Sequence, residues 1–218
     1  SEILIPLPPS ALRHMGPAVV IAEDRQVALA WIETDSFGSP AKVMATVLNF
    51  DSSGNVGDIT PFEISINGYF SDLHLAVDQS TQQFYVIFNS FDDIEGTGNN
   101  FTREVIRCAS FNNSGVSTTT HVVSDPSLSA RQPRIAQRPF SNEFVVSWLT
   151  FLTGGVPPQA NLFWRKIRWP INPDNINLTI PTQVIMDGIG SITIPSRTSH
   201  FPAKTNVGLA CLSDGTLF

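Results

Sequence analysis

The chain has 218 residues, 42% hydrophobic and only 15% charged, with 15 Phe, 16 Pro, 14 Gly and a formal net charge of −6. That length is ample for a real core, and so few charges beside so much Pro and Gly exclude a helical bundle, a coiled coil or a disordered chain. The acidic balance argues against a nucleic-acid partner, which needs a basic stripe, and no apolar run is long enough for a helical membrane span.

The N-terminal stretch Ser1-Glu2-Ile3-Leu4-Ile5-Pro6 has no initiator Met, basic start or long apolar segment. It reads as the start of a processed form, a fragment or a trimmed piece. The next 60 residues hold four apolar stretches separated by turn residues. Pro17 to Trp31 reads as a strand, a tight polar turn and a second strand that ends on an aromatic residue. Val43 to Phe50 reads as a third strand, followed by the turn Asp51-Ser52-Ser53-Gly54, and Phe62 to Ser65 as a short fourth. Apolar, β-branched and aromatic runs bounded by such residues are strand signals.

The pattern then recurs. Leu73 to Phe88 and Pro133 to Trp148 match the first pair, so that Trp31, Phe88 and Trp148 stand 57 and 60 residues apart. Val105 to Phe111 and Leu162 to Trp169 match the third strand, with turns at Asn112 to Gly115 and Pro170 to Pro173. His121 to Ser124 and Gln183 to Met186 match the fourth. The strands of each unit are labelled a to d. A unit of four short strands cannot bury both faces alone and must stack on its neighbours.

The pattern Pro-x-hydrophobic-Ala, turn, Phe-Val-Val-x-Trp, then a strand leading into Phe-Asp/Asn-x-x-Gly, resembles the tandem blades of large secreted or surface β-propeller proteins. The expected fold is all-β: a β-propeller or a major part of one, with three full blades and parts of a fourth. The blades span approximately 12–66, 69–125 and 131–186, and the partial blade combines 1–7 with 200–218. The signatures of WD40, Kelch and sialidase Asp-box repeats are absent, and Ser213-Asp214-Gly215-Thr216 is a partial echo of the last. A longer chain or a second chain that supplies the missing strands is the expected partner in completing the ring.

The resemblance implies a ligand face formed by the b–c loops and the d–a connections. The b–c loops here run Glu33 to Ala41, Asn89 to Thr102 and Leu149 to Ala160, and roughly 14 extra residues lie around Gly188 to Asn206. A repeat fold keeps its packing residues periodic, so departures from the period mark where a ligand surface can be built. On that ground the candidate binding residues are Asp35, Asp92, Asp93, Arg103, Arg131, Arg197 and His200. The expected function is a binding or interaction module that holds a glycan or a protein. The alternatives are a propeller-type glycoside hydrolase or lyase, with Asp35, Asp92 and Asp125 as its carboxylates, and a structural assembly component.

No metal or other cofactor is expected. Asp92-Asp93-Ile94-Glu95 reads as a solvated acidic loop, since a hard cation needs six or more oxygens in a defined pattern. His14, His74, His121 and His200 lack metal-ligand spacing, although His14 and His200 both precede a strand a. In Phe163 to Trp169, alternation sends Phe163, Arg165, Ile167 and Trp169 to one face and Trp164, Lys166 and Arg168 to the other. Trp169 is expected in the core, and Trp164 either packs between blades or stacks on a sugar. Cys108 and Cys211 form no disulfide framework, and their pairing stays open. Sequons at Asn100, Asn112 and Asn177 favour an extracellular or cell-surface protein.

Overall fold

The computed structural model describes residues 13–22, 25–34, 41–92, 103–116, 120–125, 128–138, 143–152, 159–168 and 192–193. Among these the fold is all-β, with twelve antiparallel strands and no helix. They are β1 (Arg13–Ile21), β2 (Gln26–Thr34), β3 (Ala41–Asn49), β4 (Phe62–Asp78), β5 (Gln83–Asp92) and β6 (Arg103–Asn112). Then come β7 (Gly115–Val116), β8 (His121–Val122), β9 (Ala130–Gln137), β10 (Glu143–Leu152), β11 (Gln159–Arg168) and β12 (Ile192–Thr193).

The strands pair as three antiparallel meanders. Strands β1, β2, β3 and the first part of β4 form unit 1. The second part of β4 pairs with β5, which pairs with β6, and β6 pairs with both β7 and β8 to complete unit 2. Strands β9, β10, β11 and β12 form unit 3. Gly68 of β4 still faces Ala41 of β3, while the next residue, Tyr69, already faces Phe91 of β5. The d–a connection between units 1 and 2 is therefore not a loop but the middle of one strand. The fourth strand expected at Gln183 to Met186 lies outside the described residues. The strand described as pairing with β11 is β12, inside the stretch read as an insertion.

Period-two alternation explains the stacking. In unit 2, Leu73, Leu75, Val77, Phe84, Val86, Phe88, Ala109 and Phe111 point to one face and pack on Ala28, Ala30, Ile32, Val43, Ala45 and Val47 of unit 1. The intervening residues Ala76, Tyr85, Ile87, Ile106 and Cys108 point the other way and pack on Ile135, Phe144, Val146, Trp148 and Ile167 of unit 3. A sheet buried on both faces reads as a nearly continuous apolar run, which is what β5 is. Fully burying one such side chain contributes about 1.5–3 kcal/mol. Aromatic contacts reinforce both seams: Phe62 meets Phe111 edge-on at 5.6 Å, and Tyr85 meets Phe144 at 4.2 Å.

Each first strand is interrupted at the same place. Gly16, Asp72 and Gln132 all adopt left-handed backbone, with φ of 58°, 45° and 54°. The ladder shifts register there, opposite Trp31, beside Phe88 and opposite Trp148 respectively. These are β-bulges, which bend a strand and increase its twist. The aromatic residues that marked the repeat in the sequence thus sit against a bulge in all three units.

The c–d turns also repeat. Asp51 Oδ1 accepts from the amides of Ser53 and Asn55, and Asn112 Oδ1 accepts from the amide of Ser114. Both turns close on a glycine with positive φ, Gly54 at 82° and Gly115 at 112°, the usual reason for Gly at that position. The third-strand register differs from the aromatic spacing. Leu48 lies opposite Val27, Phe111 opposite Phe84 and Ile167 opposite Phe144. Ile167 therefore takes the core position expected of Trp169, which lies outside the described residues.

Candidate functional site

Among the described residues, the c–d turns after β3 and β6 and the a–b turn after β4 are short and bond to themselves. The b–c ends are different. Asn89 stands where unit 1 has Ile32, and Glu104, opposite Phe91, stands where unit 1 has Ala41, opposite Thr34. Both point into the seam between units 2 and 3, and both are buried. Two departures from the repeat thus place an amide and a carboxylate at the b–c end of one seam.

A buried polar group must be bonded or it costs stability. Asn89 Nδ2 donates to the carbonyl of Ala130 at 2.9 Å, and its Oδ1 accepts from Ser71 Oγ at 2.9 Å. Glu104 Oε2 accepts from Arg131 Nε and from Ser129 Oγ. The Glu104 carboxylate is almost fully covered, whereas the Arg131 side chain remains 42% exposed. Arg131 thus keeps a part-exposed side chain whose Nε is held by a carboxylate underneath. Thr150, buried in β10 opposite Ala130, has an Oγ1 with no hydrogen-bond partner. At the same end of unit 1, His14 Nε2 lies 3.4 Å from the buried Glu33 Oε2.

Of the residues proposed from sequence, the structure brings three to this end of units 2 and 3. Asp92 and Arg103 are ladder partners at the last step of β5 and β6, and Arg131 is in β9 across the seam. Asp35, Asp93, Arg197 and His200 lie outside the described residues. Asp125, considered as a carboxylate for catalysis, acts electrostatically on Arg165: burial lowers that guanidinium's pKa and Asp125 raises it. No cluster of three or more metal-ligating side chains occurs among the described residues. The expected alternation in β11 holds: Phe163 and Ile167 join the core, Arg165 is buried, and Lys166 and Arg168 point to solvent. Trp164 is half-buried opposite Ser147, and its indole N–H has no acceptor.

Glu104, Asn89 and Ser129 were not singled out from the sequence. The signal existed: aligning the units by ladder position places Asn89 and Glu104 against Ile32 and Ala41. Without the register, Glu104 reads as a charge at the start of a strand.

Elsewhere at the same seam, His74 Nδ1 accepts from the Ile135 amide at 3.4 Å. Burial, and then the Arg134 charge, hold its pKa below the usual histidine range. Asp78 is at the opposite end. Burial opposes its ionisation, but hydrogen bonds from Ser80, Thr81 and Gln137 outweigh that and hold its carboxyl below the usual range. Burial pushes the Cys108 thiol well up, which makes it an inert core residue.

The fold and this polar end define an all-β protein of stacked antiparallel units. No known family model matches the chain, and no curated protein matches it in sequence. Among solved structures it is similar to an inulosucrase from Halalkalicoccus jeotgali bound to kestose, at 11% identity and a TM-score of 0.42. The match covers 72% of this chain and 50% of that one, so the chain spans about half the length of that structure.

Proposed function

We propose that this protein is a binding module of the β-propeller type and that its ligand is a glycan, held at the b–c end of the seam between units 2 and 3. The observation that carries the reading is the Glu104–Arg131 pair, a covered carboxylate beneath a part-exposed arginine side chain. It sits beside Asn89 at a level where the repeat otherwise uses apolar residues. A guanidinium offers several donors in a fixed plane, and the covered carboxylate beneath orients it. Sugar hydroxyl oxygens can accept from such donors. An extracellular or cell-surface location fits such a ligand. The glycosidase alternative needs two carboxylates roughly 5–10 Å apart.

The test is titration of the full chain against a panel of neutral oligosaccharides, with Glu104→Gln and Arg131→Met as variants and Lys166→Ala as a control. The expected result is saturable binding that each site variant weakens at least about tenfold, equivalent to 1.4 kcal/mol, while the control binds normally. Absence of binding across the panel, or equal binding by folded site variants, would overturn the reading. Release of reducing sugar by the wild type would favour the enzyme alternative instead.

A further inference from the structure

The c–d turns of units 1 and 2 are built alike but differ in one group. Each needs an oxygen at its first position to accept from the amide two residues on. Asp51 Oδ1 accepts from the Ser53 amide at 2.8 Å, and Asn112 Oδ1 from the Ser114 amide at 2.8 Å. Aspartate and asparagine serve equally well in such a turn. In unit 1 the second carboxylate oxygen is also used, accepting from Asn55 Nδ2 at 3.0 Å. In unit 2 the asparagine brings an Nδ2 that the turn does not need. Among the described residues this nitrogen donates to no partner, and it is not buried.

The surroundings of that nitrogen suit a bulky addition. Asn113 and Ser114 are exposed, and Asn113 is tied back to Asn49 Oδ1 at 3.2 Å. On the other side Phe111 is fully buried and anchors the turn in the core. Asn112-Asn113-Ser114 is also an Asn-x-Ser triplet without proline, the acceptor pattern for N-linked glycans. The sequons at Asn100 and Asn177 lie outside the described residues. We propose that Asn112 is an N-glycosylation site, modified from a polyprenyl-diphosphate-linked oligosaccharide in the secretory membrane. Nδ2 bonds to the anomeric carbon and gives up one proton, the bond from that carbon to the diphosphate oxygen breaks, and polyprenyl diphosphate leaves. Oδ1 keeps its bond to the Ser114 amide, so the turn survives the modification. The proposal rests on the extracellular location, not on the ligand. Asn112 is at the far end of β6 from Glu104, about 27 Å away at the rise of a strand, so its glycan leaves the b–c end open.

The experiment expresses the 218-residue chain behind a cleavable leader in a eukaryotic secretory host. Intact mass is compared with peptide mapping after enzymatic glycan release in heavy-oxygen water, on material secreted or retained in the lumen. Asn112→Asp is the test variant, Ser114→Ala the second, and Asn113→Gln, which keeps the sequon, the control. The expected result is a heavy-oxygen label at Asn112 in the wild type and the control, and the loss of one glycan's mass in both test variants. Asn112→Asp should melt with the deglycosylated wild type, because a carboxylate holds the same turn in unit 1. Should it fold poorly, Ser114→Ala, which keeps the Asn112 side chain, decides alone. An unlabelled Asn112, or equal glycan mass in wild type and test variants, would overturn the proposal. Either result leaves the glycan-binding reading standing, since titration tests that separately.

Discussion

The side-chain amide of Asn89 donates to the backbone carbonyl of Ala130 at 2.9 Å, across the seam between units 2 and 3. The two residues are 41 apart in sequence and belong to strands of different sheets. Through Ser71 the same side chain is also tied to β4. One buried amide therefore locks the b–c ends of two units at the level where Glu104 holds Arg131.

Replacing Asn89 with leucine, which mimics Ile32 of unit 1, should destabilise the protein despite its greater hydrophobicity. The Ala130 carbonyl loses its side-chain donor and Ser71 Oγ its acceptor, at about 1–3 kcal/mol for a buried group left unsatisfied. Urea denaturation at neutral pH reads this as a lower midpoint with an unchanged slope. A midpoint at or above that of the wild type would show that the hydrogen bonds contribute nothing net.

Acidification should loosen the same seam. Burial, the leading cause, holds the native pKa of His74 below the ordinary histidine value of about 6.5, so the unfolded chain takes up this proton first. The stability linked to His74 is fully present above about pH 6.5 and declines as pH falls towards the lowered native value. In His74→Gln that contribution should vanish. Thermal melts from pH 8 to pH 5 should therefore show a smaller loss of Tm in the variant. Parallel pH profiles would mean that His74 has no part in the acid sensitivity.

The three bulges make a matched set of predictions. Asp72 and Gln132 hold left-handed backbone without being glycine, at a cost of about 1–2 kcal/mol each. Gln132→Gly should relieve part of that strain and raise the Tm. Gly16→Ala should lower stability by about 1 kcal/mol, because φ at Gly16 is 58° while the added methyl would meet only Ile32 Cδ1 at 3.9 Å. Opposite signs for these two substitutions, read by differential scanning calorimetry, are the expected signature of backbone strain without a packing clash.

Phe88 carries the aromatic repeat position of unit 2 and is fully buried, edge-on to Phe70 at 5.5 Å. Phe88→Ala should cost about 3–5 kcal/mol through lost transfer energy and the cavity left behind. The loss should appear in the urea midpoint. A cost below about 1 kcal/mol would mean that the seam between units 1 and 2 is loosely packed.

Much of the fold is legible in the chain because packing against both neighbours demands regularity. Trp31, Phe88 and Trp148 recur because each must sit at a bulge, and Asp51 to Gly54 and Asn112 to Gly115 recur because each must reverse the chain within four residues. The candidate site is less legible because it consists of exceptions. Arg131 could be picked out because it lies beside a connection that departs from the repeat. Its partner Glu104 could not, since a lone glutamate in Arg103-Glu104-Val105 looks like a solvated end until ladder register turns it inward. The unbroken passage through β4 was hidden for a similar reason. Its residues pair with β3 and then with β5, and each half alone has the appearance of a short strand with its own ends.

The sequence by itself determined the all-β class, the first three strands of each unit, the turn chemistry at Asp51 and Asn112, the alternation of faces and the absence of helix from the described residues. These are local consequences of side-chain volume, backbone preference and period two. Tertiary structure decided which face meets which neighbour, that Asn89 and Glu104 point into a seam, and that Val19 and Ile21 remain in water while Leu75 and Val77 do not. Those outcomes depend on contacts between residues tens of positions apart, and no local pattern encodes whether an apolar face finds its cover.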